Sequence, residues 1–224
     1  MILQVLSILR RKEYKVYNQP YQLNIVGVRS ASTTPNKFDD MLFVFFKDER
    51  LRWHLYSYPI TTDPGTYWLK NPMNVNGTAI LKEGQYVDAY EIGLHKGQYT
   101  ALVQARPLTV IRDYQRVALL DFFNGSEDHG FFGIDIHRAM ATGTTKNVDK
   151  WSAGCQVFAN AANFAQFMAM CQKHKSLYGN HFTYTLIDNR ALERQTRRWI
   201  CYGIGASVLT IGGITTYLLL TNKN

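Results

Sequence analysis

Trp151-Ser152-Ala153-Gly154-Cys155-Gln156-Val157-Phe158 decides the reading of this chain, together with Phe131-Phe132-Gly133-Ile134-Asp135-Ile136-His137 upstream of it. The upstream run is strand-like and ends on a histidine. The downstream run is a tight Ser-x-Gly-Cys turn that leads into apolar residues. Cysteine attacks as a thiolate, and a nearby imidazole can take its proton. Cys155 is therefore the expected nucleophile and His137 the expected base. Gly154 allows the tight turn, which would aim the Gly154 and Cys155 amides at a developing oxyanion. Ser152 is expected either to hold the turn or to orient His137. Asp135 alternates with Ile134 and Ile136 and is expected to face away from them, without a catalytic role. His95 and His129 are read as solvated loop residues.

Working outward, short β segments recur. Tyr21–Arg29, Met41–Phe46 and Arg52–Tyr58 are strand-like, and Gly84–Tyr90, Ala101–Gln104 and Thr109–Arg112 add further short segments. Thr61-Thr62-Asp63-Pro64-Gly65-Thr66-Tyr67 is a turn followed by a short run. One helix is expected after Cys155, because Phe164, Phe167, Met168 and Cys171 fall on a single helical face. That spacing makes Cys171 a core thiol. Phe182, Tyr184 and Leu186 alternate as a last strand. The expected class is mostly β, a β-rich α+β sandwich or barrel with one or two helices.

The chain has 224 residues and a formal net charge of +8. That charge suits an anionic partner, a lipid surface or a wall polymer. No basic run is interleaved with aromatics, so nucleic acid is not an expected partner. Cys155, Cys171 and Cys201 are an odd set at irregular spacing, which predicts neither a disulfide framework nor a zinc site.

The N-terminal run Met1–Leu9 is apolar, but Arg10-Arg11-Lys12 follows it, the reverse of a secretory signal. Residues 1–20 are read as an extension, a strand or short helix packed on the domain of residues 21–190. From Trp199 to Thr221 no charged residue occurs. About twenty such residues at ~1.5 Å rise cross a ~30 Å hydrocarbon core. Residues 199–220 are thus an expected transmembrane helix, preceded by a basic juxtamembrane segment, 191–198. Its glycines favour close packing and possible homo-oligomers in the membrane. Arg190, Arg194, Arg197 and Arg198 before the span, against Lys223 after it, would leave the domain on the cytoplasmic side.

Ile134-Asp135-Ile136-His137, the fourteen residues 138–151, then Ser152-Ala153-Gly154-Cys155 resemble the signature of L,D-transpeptidase (YkuD-type) catalytic domains. Thr61–Tyr67 is similar to the family's upstream Thr-Pro-x-Gly-x-Tyr/Phe segment. The likeness covers roughly residues 40 to 160 and is greatest to divergent phage-encoded members with a Trp-Ser-Ala-Gly-Cys core. Ala153 stands where the family has His, Gln156-Val157 where it has Arg or Asn, and Arg138 where it has Gly. The resemblance implies a β-rich fold with the cysteine at a groove. It also implies thioester chemistry on peptidoglycan stem peptides, with His137 as base and no metal or organic cofactor. Both transpeptidation and hydrolysis remain open.

Arg138 is an expected contact for a substrate carboxylate, and Trp151 an expected substrate contact. The expectation is a membrane-anchored cysteine enzyme of the cell envelope, or one delivered by a virion, with a role in phage lysis or host penetration. The competing expectation is a non-catalytic virion or membrane protein that keeps the fold for wall binding or assembly.

Overall fold

The computed structural model describes residues 2–190. Residues 2–187 belong to one compact unit, and a second unit begins at Asp188. The expected basic segment 191–198 and transmembrane helix 199–220 lie outside the described residues. Among the described residues no helix is long and apolar enough to cross a membrane.

The first unit is mostly β. Eight strands close a barrel in the order β1 (Asn24–Arg29), β11 (Phe182–Asp188), β5 (Gly84–His95), β6 (Tyr99–Gln104), β9 (Ile136–Arg138), β10 (Gln156–Phe158), β3 (Trp53–Thr61) and β2 (Asp40–Lys47). A separate three-stranded sheet runs β4 (Thr78–Leu81), β7 (Leu108–Asp113) and β8 (Glu127–Gly130). Among the described residues there are three helices, α1 (Ile2–Arg11), α2 (Thr66–Lys70) and α3 (Ala161–Tyr178), rather than one or two.

Local chemistry accounts for most of these elements. In β2 the side chains of Leu42 and Val44 point into the core, while Met41 and Phe43 are only partly buried. This is the period-two alternation of a strand. In α3, Phe164, Phe167, Met168 and Cys171 are all buried, as the helical spacing predicts. Asn160 caps it by accepting from the Asn163 N–H at 2.9 Å. Phe158 of β10 packs on Phe164 and Phe167, with ring centroids 5.5 and 5.2 Å apart. The helix therefore braces the short strand that follows the Cys155 turn.

Several expectations need correction. Of the run 131–137 only Ile136 and His137 are strand; residues 131–135 form an irregular connection with Gly133 at φ +68°. His129 lies in β8 and its ring bonds Thr109 Oγ1 at 3.1 Å, and His95 ends β5 as a buried residue. His129 is exposed, as expected, but lies in a strand and not a loop, whereas His95 is neither solvated nor in a loop. The run after Pro64-Gly65 is the helix α2. The N-terminal stretch, by contrast, matches its expectation as the short helix α1, with Val5, Leu6 and Leu9 buried.

The strand pair β9–β10 runs parallel, whereas β10–β3 and β6–β9 are antiparallel. Gln156 pairs with Ile136, and Val157 with His137. Neighbours in register point to the same side of a sheet, and alternate residues share a face. Cys155, one step before Gln156, therefore shares a face with Asp135 and His137.

Candidate active site

The Cys155 turn is held from within. Ser152 is fully buried; its hydroxyl donates to the Cys155 carbonyl at 2.8 Å and accepts from the Gly154 N–H at 3.1 Å. Ser152 is thus a staple of the turn and makes no bond to His137. The same bond engages the Gly154 amide, so Gly154 is not a free oxyanion donor as expected. Among the described residues no hydrogen bond engages the Cys155 N–H, which leaves that amide available. Gly154 is required for another reason. Its φ is +124°, and a Cβ there would stand 2.3 Å from the Ala79 carbonyl oxygen of β4.

The Pro64-Gly65 segment supports the turn from outside. Gly65 N donates to the Ser152 carbonyl at 2.9 Å, and Trp68 Nε1 to the Lys150 carbonyl at 3.1 Å. A Cβ on Gly65 would fall 2.0 Å from the Asp149 carbonyl oxygen, so the two loops touch backbone to backbone. The segment itself is anchored by a buried charge group. Arg29 pairs with Asp63 at 2.8 Å, and Asp40 accepts from the Thr62 N–H at 2.6 Å, the Thr62 hydroxyl at 2.8 Å and the Ser30 N–H at 2.7 Å. Burial, with Asp63 beside it, pushes the Asp40 carboxyl up to about 7.

Cys155 and His137 both border a cavity of about 420 Å³, together with His95, Asp135, Lys150 and Trp151. Cys155 is half-buried there, and its thiol donates to the Gly133 carbonyl at 3.3 Å. At rest the thiol is therefore bonded to Gly133 and not to His137. Burial pushes the thiol up to about 12, while the backbone N–H of Asp135 and the charge of Lys96 pull it down.

His137 is buried. Its Nδ1 lies 2.8 Å from the Arg138 carbonyl oxygen and 3.2 Å from the Tyr99 hydroxyl, which itself donates to that carbonyl at 3.0 Å. A carbonyl only accepts, so Nδ1 carries the proton and Nε2 holds the lone pair. Burial and the neighbouring His95 push His137 down to about 3. The site at rest is a neutral thiol beside a neutral imidazole.

Sequence reasoning missed three residues here. His95 Nδ1 lies 2.7 Å from Asp135 Oδ2, and its ring stacks on His137 with centroids 4.0 Å apart. Gln104 clamps the connection before β9: its Oε1 accepts from the amides of Phe132, Gly133 and Ile134 at 2.9, 2.9 and 3.2 Å. That clamp fixes the Gly133 carbonyl on which the thiol rests. The sequence signal for His95 was its place at the end of an apolar strand; nothing local marked Gln104.

Trp151 is partly exposed and borders this cavity and a neighbouring one of about 400 Å³. Arg138 lines the neighbour, stacked over the Tyr99 ring at 4.5 Å, with one N–H on the Ala141 carbonyl. Lys96 and Lys150 border both cavities, so the groove is cationic. Among the described residues no cluster of His, Cys, Asp or Glu is arranged to hold a metal ion. Comparison of the chain with protein-family models, with curated proteins and with solved structures finds no match.

Proposed function

We propose that this chain is a membrane-anchored cysteine enzyme of the L,D-transpeptidase type, acting on peptidoglycan stem peptides. The observation that supports the reading is that Cys155 and His137 lie on one face of the β9–β10 region and border the same cavity. The resemblance of the His137 and Cys155 segments supplies the substrate class. The cationic rim of Lys96, Lys150 and Arg138 suits the carboxylates of such peptides.

The reaction starts from the neutral pair. On attack the thiol leaves the Gly133 carbonyl and gives its proton to His137 Nε2 while sulfur bonds the substrate carbonyl carbon. The Cys155 N–H donates to the oxyanion. The C–N bond then breaks, the proton on His137 passes to the departing amine, and a thioester remains. An amine acceptor gives a cross-link, and water gives hydrolysis; in each case the incoming nucleophile gives a proton to His137, which returns it to sulfur. Forming thiolate and imidazolium together offsets much of the cost of burying either alone, since opposite charges attract strongly where water is scarce.

The test is incubation of the full-length chain with muropeptides, read by mass spectrometry of both products and protein. Cleaved or cross-linked stems, and a protein adduct of thioester mass, are expected from the natural chain and not from Cys155→Ala. Equal product from the Ala variant would sink the mechanism. Unaltered muropeptides from the natural chain that nonetheless binds wall material would favour the non-catalytic binding protein.

A further inference from the structure

A second imidazole lies against the base. His95 and His137 are 5% and 3% exposed, and their rings are 17° from parallel at a centroid distance of 4.0 Å. The His95 ring is fixed in turn by Asp135, whose Oδ2 is 2.7 Å from His95 Nδ1. Asp135 Oδ1 accepts from the Gln104 backbone N–H at 3.0 Å, so both carboxylate oxygens are held. A carboxylate accepts, so His95 Nδ1 carries a proton.

We infer that Asp135 and His95 are positioning residues for His137, the carboxylate fixing one ring and that ring fixing the next. The inference rests on the reading of His137 as the base. A buried carboxylate and imidazole cost solvation, and fold stability alone gives no reason to stack them on a third ionisable ring. Two effects follow from the geometry. The stack removes the freedom of the His137 ring to swing about its side-chain bonds, leaving Nε2 in one place. It also sets the Asp135 charge one ring away from the imidazolium that forms when the thiol proton arrives. Asp135 acts through His95, so its removal affects the transition state more than substrate binding.

The experiment uses the full-length chain labelled with 15N-histidine. Imidazole nitrogen shifts report the tautomer of each ring without any substrate. In the natural chain both His95 and His137 are expected to carry the proton on Nδ1. In Asp135→Asn the amide oxygen still accepts from Gln104, so the amide NH2 faces His95 and forces its proton onto Nε2. The His137 signals should shift with it. Turnover of muropeptides should show kcat lowered about 10- to 100-fold with KM within about two-fold, less than the ~10²- to 10⁴-fold that an acid–base group itself contributes.

His95→Gln removes the stack, and should lower kcat by the same order and broaden the His137 signals. It decides the matter if Asp135→Asn does not fold. Folded variants with natural kcat and unmoved His137 signals would overturn the inference. If the natural chain turns over no muropeptide, the functional reading fails, and the His137 nitrogen shifts in the two variants still decide the positioning role.

Discussion

Gly154→Ala is the perturbation with the most to say about how the Cys155 turn is held. The residue has φ +124°, and the added Cβ would lie 2.3 Å from Ala79 O and 3.3 Å from Ala79 C. Ala79 cannot easily yield, because β4 is paired with β7 through Ala79 and Arg112. The turn cannot yield without lengthening the Ser152 bonds to Gly154 N and Cys155 O. A left-handed backbone costs an ordinary residue about 1–2 kcal/mol. Forcing a methyl into a filled site costs about 1–3 kcal/mol more. The sum, roughly 2–5 kcal/mol, should lower the melting temperature by roughly 4–20 °C for a domain of this size. Gly143→Ala is the internal control: φ there is +73° and nothing lies within 4 Å of the new Cβ. It should show the backbone cost alone, about 1–2 kcal/mol. The assay is thermal unfolding followed by circular dichroism on the three proteins side by side. If Gly154→Ala melts no lower than Gly143→Ala, the Ala79 contact does not constrain the turn and this account of the site is wrong.

Ser152→Ala should cost about 1–3 kcal/mol in urea unfolding, since it strips a buried staple and leaves the Gly154 N–H unpaired; a loss under 0.5 kcal/mol on the same scale would contradict the staple. His137 sits at about 3 when folded against 6.5 in the unfolded chain, so the unfolded state takes up the proton first. Its contribution is intact above pH 6.5 and is lost as pH falls from 6.5 toward 3, by up to about 1.4 kcal/mol per unit. Asp40, raised from 3.8 to about 7, acts in the opposite sense: its contribution is full below 3.8 and lost as pH rises through 7. The two largely mask each other in the natural chain. The difference between natural and His137→Gln urea midpoints should therefore narrow on acidification, and a constant difference would refute the buried neutral base. Iodoacetamide labelling of Cys155, read on its peptide, should climb about ten-fold per pH unit from 7 to 10, because the thiol is pushed up to about 12. A plateau below pH 9 would mean that the thiol ionises far more readily.

Much of the fold is legible along the chain because the forces that build it are local and periodic. β2 reads as a strand since a pleated ribbon with one buried face demands alternation, and α3 reads as a helix since Phe164, Phe167, Met168 and Cys171 recur at its period. The short elements were legible in part at best: the run 131–137 read as a strand, but only Ile136 and His137 of it are. β4, β8, β9 and β10 have four, four, three and three residues, too few for a period to declare itself. Their conformation is imposed by neighbours, as when Leu102 of β6 pairs with Ile136 of β9. His137 and Cys155 were singled out because the cysteine, its glycine turn and the histidine lie close together in sequence.

Sequence alone therefore determined the mostly β character, the helix behind the site and the identity of the candidate Cys and His. Tertiary structure decided which groups those two residues meet. His95 reaches Asp135 across 40 residues, Gln104 reaches the amides of 132–134 across about thirty, and Gly154 is glycine because β4 presents Ala79 O to it. It also decided that Ser152 closes the turn and engages the Gly154 amide, while no hydrogen bond among the described residues engages the Cys155 amide. Hydrogen bonds and stacked rings act over a few ångströms with strict direction, whereas sequence patterns record only the side on which a residue lies. The register of a closed barrel converts the second kind of information into the first.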